Sequence, residues 1–194
     1  MPLMIFGLGN PGSRYAKTRH NAGFWFLDRL AETAGVTFRV QSKLHCETAR
    51  TSLNGQDCIL AKPTTFMNHS GLAVRAVMDY YKTGTNQLLV AYDELDLPPG
   101  VARLKQGGGH GGHNGLRDIF RHTVDHDFSR LRIGIGHPGD RDAVTGYVLS
   151  RATAAQERLM RESISGALDV MPQLLDGDMA GAMKKLHTVT ENGL

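Results

Sequence analysis

Short apolar runs that stop abruptly at turn residues, alternating with stretches of helical spacing, leave this chain few folds to choose from. Leu3 to Leu8 and Leu88 to Tyr92 are compact and almost wholly apolar, which is how a strand covered on both faces reads. Ser129 to Ile135 and Val101 to Lys105 add two further strands. Asn21 to Ala34 carries Ala22, Trp25, Phe26, Leu30 and Ala34 at helical spacing and stops at Gly35, where a helix-ending glycine belongs. Ser70 to Lys82 repeats the pattern with Leu72, Val74, Ala76, Val77, Tyr80 and Tyr81, and Ser70 is the expected N-cap. Val36 to Val40 leads into two β-prone runs, Glu47 to Leu53 and Asp57 to Lys62, joined across Asn54-Gly55, a strong hairpin signal. The tail from Thr153 to His187 predicts one long helix and a shorter one, broken at Pro172 and Gly177. Alternating strands and helices predict an α/β fold, and the hairpin makes its twisted sheet mixed, flanked by helices with C-terminal helices at the end. At 194 residues the chain is expected to be a single domain.

Composition narrows the class further. With 41% hydrophobic and 21% charged residues, disordered, collagenous and coiled-coil chains are excluded. No apolar run approaches the roughly 20 residues of a membrane span, and Met1 to Phe6 is too short and uncharged for a signal peptide. A cytoplasmic protein with no membrane partner is expected. Cys46 and Cys58 cannot make a disulfide framework and read as buried structural residues. The net charge of +3 is modest, but its location is informative. Between Val101 and Arg132, Arg103, Lys105, Arg117, Arg121, Arg130 and Arg132 face only Asp118, Asp125 and Asp127. That excess equals the net charge of the chain and suggests either a solvated surface or a face for a polyanion.

Gly7-Leu8-Gly9-Asn10-Pro11-Gly12 matches the dinucleotide-binding pattern in letters, but its helix begins only near Asn21, too late to receive a pyrophosphate, and the acidic residue closing a second strand is missing. Pro-Gly turn chemistry accounts for these glycines and for Gly134-Ile135-Gly136-His137-Pro138-Gly139. Six glycines crowd between Gly107 and Gly115 around His110, His113 and Asn114, giving bare backbone that lets a polymer approach or a loop move. A metal on His110 and His113 with Asp93 or Asp96 is the minor alternative, and no metal or cofactor is expected. Asn10 and His20, Met67-Asn68, Asp93, and His113-Asn114 come from four loops, each at or beyond a strand end. A histidine with a carboxylate partner and several amide donors, without a convincing Ser or Cys nucleophile, fits attack by a water that the histidine activates.

The residues also carry a resemblance. The run Gly7 to Gly12 with Tyr15 and Thr18 to Gly23, the segment Lys62-Pro63-Thr64-Thr65-Phe66-Met67-Asn68-His69-Ser70-Gly71, Asp93 to Gly100, the Gly107 to Leu116 loop and Arg130 to Pro138 together resemble the bacterial peptidyl-tRNA hydrolase family. The likeness is collinear over nearly the whole chain; Arg121 to Phe128 lacks a glycine the family often carries, and beyond Arg151 only the helical pattern agrees. It implies a hydrolase that cleaves the ester between a peptide and the 3′ ribose of tRNA, recycling tRNA after premature termination of translation. It implies His20 as catalytic base and Asp93 as its orienting partner. Asn10, Tyr15, Met67, Asn68, His113 and Asn114 would then shape the substrate site, with Lys105 and Arg132 on the tRNA 5′ phosphate. Residues 107–115 would be a gate loop and 140–150 a lid, in an enzyme expected to be a monomer. The rivals from other classes are an RNA-binding protein on the same scaffold without hydrolysis, and a nicotinamide oxidoreductase.

Overall fold

The computed structural model describes residues 1–191. Among these, β1 (Leu3–Gly7), β2 (Arg39–Gln41), β3 (Cys46–Leu53), β4 (Gln56–Pro63), β5 (Leu88–Glu94), β6 (Ala102–Gln106) and β7 (Ser129–Gly134) form one sheet in the order β2-β3-β4-β1-β5-β7-β6. β4, β1, β5 and β7 run parallel through the centre. The hairpin partner β3 with β2 on one side, and β6 on the other, are antiparallel additions. This is the expected single-domain α/β fold with a mixed sheet.

A parallel centre must be covered on both faces, and the alternation within each strand decides which residue goes where. Met4 and Phe6 of β1 pack with Val74 and Val77 of α2 (Ser70–Tyr81) and with Leu116 and Ile119 of α3 (Asn114–His122). Ile5, between them in sequence, packs on the opposite face with α1 (Ala22–Ala34), α5 (Ala154–Asp169) and α7 (Met179–Glu191). The hairpin closes as expected, with Asn54 at φ 50° and Gly55 at φ 80°, the left-handed pair that a type I′ turn requires. Cys46 and Cys58 are fully buried, and burial pushes their thiols up to about 12 and about 11. Among the described residues no helix is long and apolar enough to cross a membrane.

Two expectations are corrected. Ser70 is the first residue of α2, not its N-cap: a 3-10 turn, Met67–His69, feeds straight into the helix, and the Ser70 hydroxyl donates back to the Met67 carbonyl at 2.8 Å. The tail holds three helices rather than two. Pro172 sits in the first turn of α6 (Met171–Leu175), where its missing N–H costs nothing, and Gly177, at φ 83°, separates α6 from α7.

The carboxyl ends of β4, β1, β5 and β7 open along one edge. The 3-10 turns Arg19–Asn21 and Met67–His69, the glycine-rich segment before α3 and the short α4 (Val144–Val148) gather there, as crossover connections place them in parallel sheets.

Candidate active site

His20 and Asp93 meet at this edge. Asp93 is the last buried residue of β5, next to its final residue Glu94 and preceded only by buried residues, so its carboxylate is delivered into the interior at 3% exposure. His20 Nδ1 lies 2.9 and 3.0 Å from the two Asp93 oxygens. His113 Nε2 lies 2.9 Å from Asp93 Oδ1, while its Nδ1 accepts from the Leu116 N–H as the N-cap of α3. That cap assigns the His113 proton to Nε2, so one carboxylate accepts from two imidazoles. With Nδ1–H of His20 donating to Asp93, its Nε2 lone pair is left over, and among the described residues nothing bonds it. Burial disfavours the imidazolium of His20, but the charge and hydrogen bond of Asp93 outweigh burial and hold its pKa above the ordinary value. Burial likewise raises Asp93, and the two histidines overcome it, leaving the carboxyl well below the usual carboxylate range.

The amides stand around this pair. Asn10 is buried, and its Oδ1 accepts from the Met67 N–H at 2.7 Å, which leaves its NH2 as the donor on the cleft. Asn21, which sequence reasoning read only as a helix start, exchanges two 2.9 Å bonds with the Asn10 backbone and fixes that loop. Asn68 and Asn114 are exposed on the cleft wall, and Asn114 Oδ1 accepts from Arg117. Met67 is buried, its sulfur close beside Gly115. Tyr15 meets the exposed Phe66 edge to face at 6.0 Å. A cleft of about 680 Å³ is lined by Tyr15, Phe66 and Met67 with Val144, Val148 and Leu149, and contains His20, Asp93, His113, Asn10, Asn68 and Asn114.

Lys105 and Arg132 do not line the cleft but stand on the paired strands β6 and β7. The register pairs Arg103 with Arg132 and Lys105 with Arg130, so all four side chains share one face of the sheet. They are not equivalent. Lys105 is exposed, and Arg132, partly buried, donates through Nε to Glu94 at 3.0 Å. Arg130, counted among the basic residues of a polyanion face, is instead 1% exposed. Its guanidinium lies over Phe120 and Phe128 at 5.2 and 4.7 Å and donates to the Gly108 and Gly109 carbonyls. It belongs to the support of the glycine-rich loop. The buried Arg19, beside His20, was also missed; it lies over the Tyr147 ring and donates to Ser150, Arg151 and Gln156. Runs of apolar neighbours give no signal for either arginine, because each is solvated by backbone carbonyls from distant segments.

Among the described residues, the one group of three donors close enough for a metal is His20, Asp93 and His113, whose ligand atoms lie within 4.8 Å of one another. His110 is not in it: its Nδ1 accepts from Gly112 and its ring packs on Phe120.

Three comparisons bear on this geometry. The family model described as peptidyl-tRNA hydrolase matches residues 4–193. The peptidyl-tRNA hydrolase of Stenotrophomonas maltophilia is 54% identical over 95% of this chain and 96% of its own length. That of Marinobacter nauticus is 50% identical over 96% and 95%. The crystal structure of peptidyl-tRNA hydrolase from Acinetobacter baumannii superposes with a TM-score of 0.93 at 47% identity, covering 96% of this chain and 94% of that one. A match this long in sequence, with the same architecture, means that the chain belongs to the peptidyl-tRNA hydrolase family.

Proposed function

We propose that this chain hydrolyses the ester between a peptide and the 3′ ribose of tRNA, with His20 as the general base, freeing both products for recycling after premature termination in the cytoplasm. The observation that carries the assignment of the base is the hydrogen-bonded pair of His20 and Asp93, with the other imidazole nitrogen unengaged in the cleft. His20 Nε2 takes a proton from a water whose oxygen attacks the ester carbonyl. Asp93 stabilises the imidazolium that forms, while the amides of Asn10, Asn68 and Asn114 donate to the developing oxyanion. Collapse of the tetrahedral intermediate breaks the bond to the ribose oxygen, which recovers the proton from His20. His113 keeps Asp93 in place from its other side, and no step calls for a metal or cofactor.

Tyr15, Met67 and Phe66 form the wall for the peptide, residues 107–115 a gate and 140–150 a lid. Lys105 and Arg132 bind the 5′ phosphate of the tRNA, and the enzyme acts as a monomer. The test is single-turnover incubation with an N-acetylaminoacyl-tRNA beside its free-amine counterpart. Rapid release of the blocked amino acid, with the free-amine ester spared, is the expected result. Binding of the tRNA without ester cleavage would favour the rival reading, an RNA-binding protein on this scaffold.

A further inference from the structure

We propose that Asp118 is a positioning residue for hydrolysis, holding Asn68 in place against Asn114; this rests on the reading of the two asparagines given above. α2 begins without a cap of its own, since neither His69 nor Ser70 offers a side chain to its first N–H groups. The cap comes from another helix. Asp118, on the second turn of α3 and 5% exposed, accepts the Gly71 N–H on Oδ2 at 2.8 Å. A carboxylate at a helix N-terminus satisfies an orphan donor and complements the helix dipole.

Two glycines make this junction reciprocal. A Cβ on Gly71 would sit 2.3 Å from the Asp118 carbonyl oxygen, and one on Gly115 would sit 2.7 Å from the Met67 sulfur. α2 therefore presses on α3 at Gly71, while the turn before α2 presses on α3 at Gly115. Asn68 lies between Met67 and Gly71, and Asn114 immediately precedes Gly115. Contacts on either side of Asn68 thus hold the two amides relative to one another, and of the contacts named Asp118 supplies the charged one. The imidazole of His122 donates through Nδ1 to the Asp118 carbonyl, and the same nitrogen lies 3.7 Å from the Asp118 carboxylate, beside Gly71.

The test is a double-mutant cycle on kcat under single turnover, well below the unfolding temperature. Asp118→Ala is expected to lower kcat about tenfold, within the loss that a misplacement of about 1 Å produces, with Asp118→Asn, which keeps an acceptor for Gly71, restoring most of it. In an Asn68→Ala background Asp118→Ala should cost nothing further, because it acts through Asn68. Val77→Ala, a buried change elsewhere on α2, should lower the melting temperature and leave kcat unchanged. Losses that multiply, or an Asp118→Ala variant that loses stability while keeping kcat, would overturn the proposal alone. If Asn68→Ala by itself left kcat intact, the asparagine reading would fall and Asp118 with it.

Discussion

At the residue scale the site turns on one carboxylate shared by two histidines. That His20 and Asp93 both fall at the edge where α/β sheets collect their chemistry was legible from their places beside a helix start and a strand end, whereas their pairing was what the family resemblance implied. The second partner was not legible: His113 carries an N-cap and a contact with Asp93 at once, and only the fold brings residues 20 apart in sequence onto one oxygen pair. The imidazole must be neutral to accept a proton, and Asp93 holds its pKa above the ordinary value of about 6.5. kcat should therefore rise with pH and reach its plateau above that value. Asp93→Asn removes the charge that opposes burial, so its plateau should be lower and its midpoint displaced to lower pH; a midpoint unchanged in the variant would separate Asp93 from the titration. Hydrolysis should also survive exhaustive chelation. A rate that collapsed with EDTA and returned with zinc would make His20, Asp93 and His113 a metal site instead.

At the scale of elements, strands, α1 and the Asn54-Gly55 hairpin followed from local pattern, whereas the start of α2 and the division of the tail depended on contacts the pattern does not encode. Ser70 has the chemistry of a cap, but a 3-10 turn upstream denies it the extended backbone a cap needs. The glycine-rich loop is the clearest case of an element held from outside. Its backbone carbonyls bind Arg130 from β7, a residue whose alternation in Arg130-Leu131-Arg132 looks the same as that of its partly exposed neighbour Arg132. Arg130→Met should keep the core filled, since an apolar chain of similar length takes up the space against Phe120 and Phe128. The loop, however, should lose its anchor. Hydrogen exchange across residues 107–113 should quicken while that of β5 stays as it was, and an unchanged exchange pattern would remove Arg130 from its support.

Across the whole molecule, the cleft lies at the carboxyl ends of the central strands, and Lys105 on β6 and Arg132 on β7 do not line it, although Arg132 donates to Glu94, which does. The sequence showed a local basic excess, yet not that Arg130 is buried within it or that Glu94 engages Arg132. Exchanging Lys105 and Arg132 for Glu should weaken tRNA substrates and flatten the salt dependence of binding by roughly one ion per lost phosphate contact. A short ester without a 5′ phosphate should be cleaved as before, and equal losses on both substrates would end the phosphate reading. If a water activated by His20 performs the cleavage, single-turnover hydrolysis of N-acetylaminoacyl-tRNA by the His20→Ala variant falls by at least about 10²-fold while tRNA binding is retained. A variant that cleaved the ester at close to the parent rate would remove His20 from the chemistry.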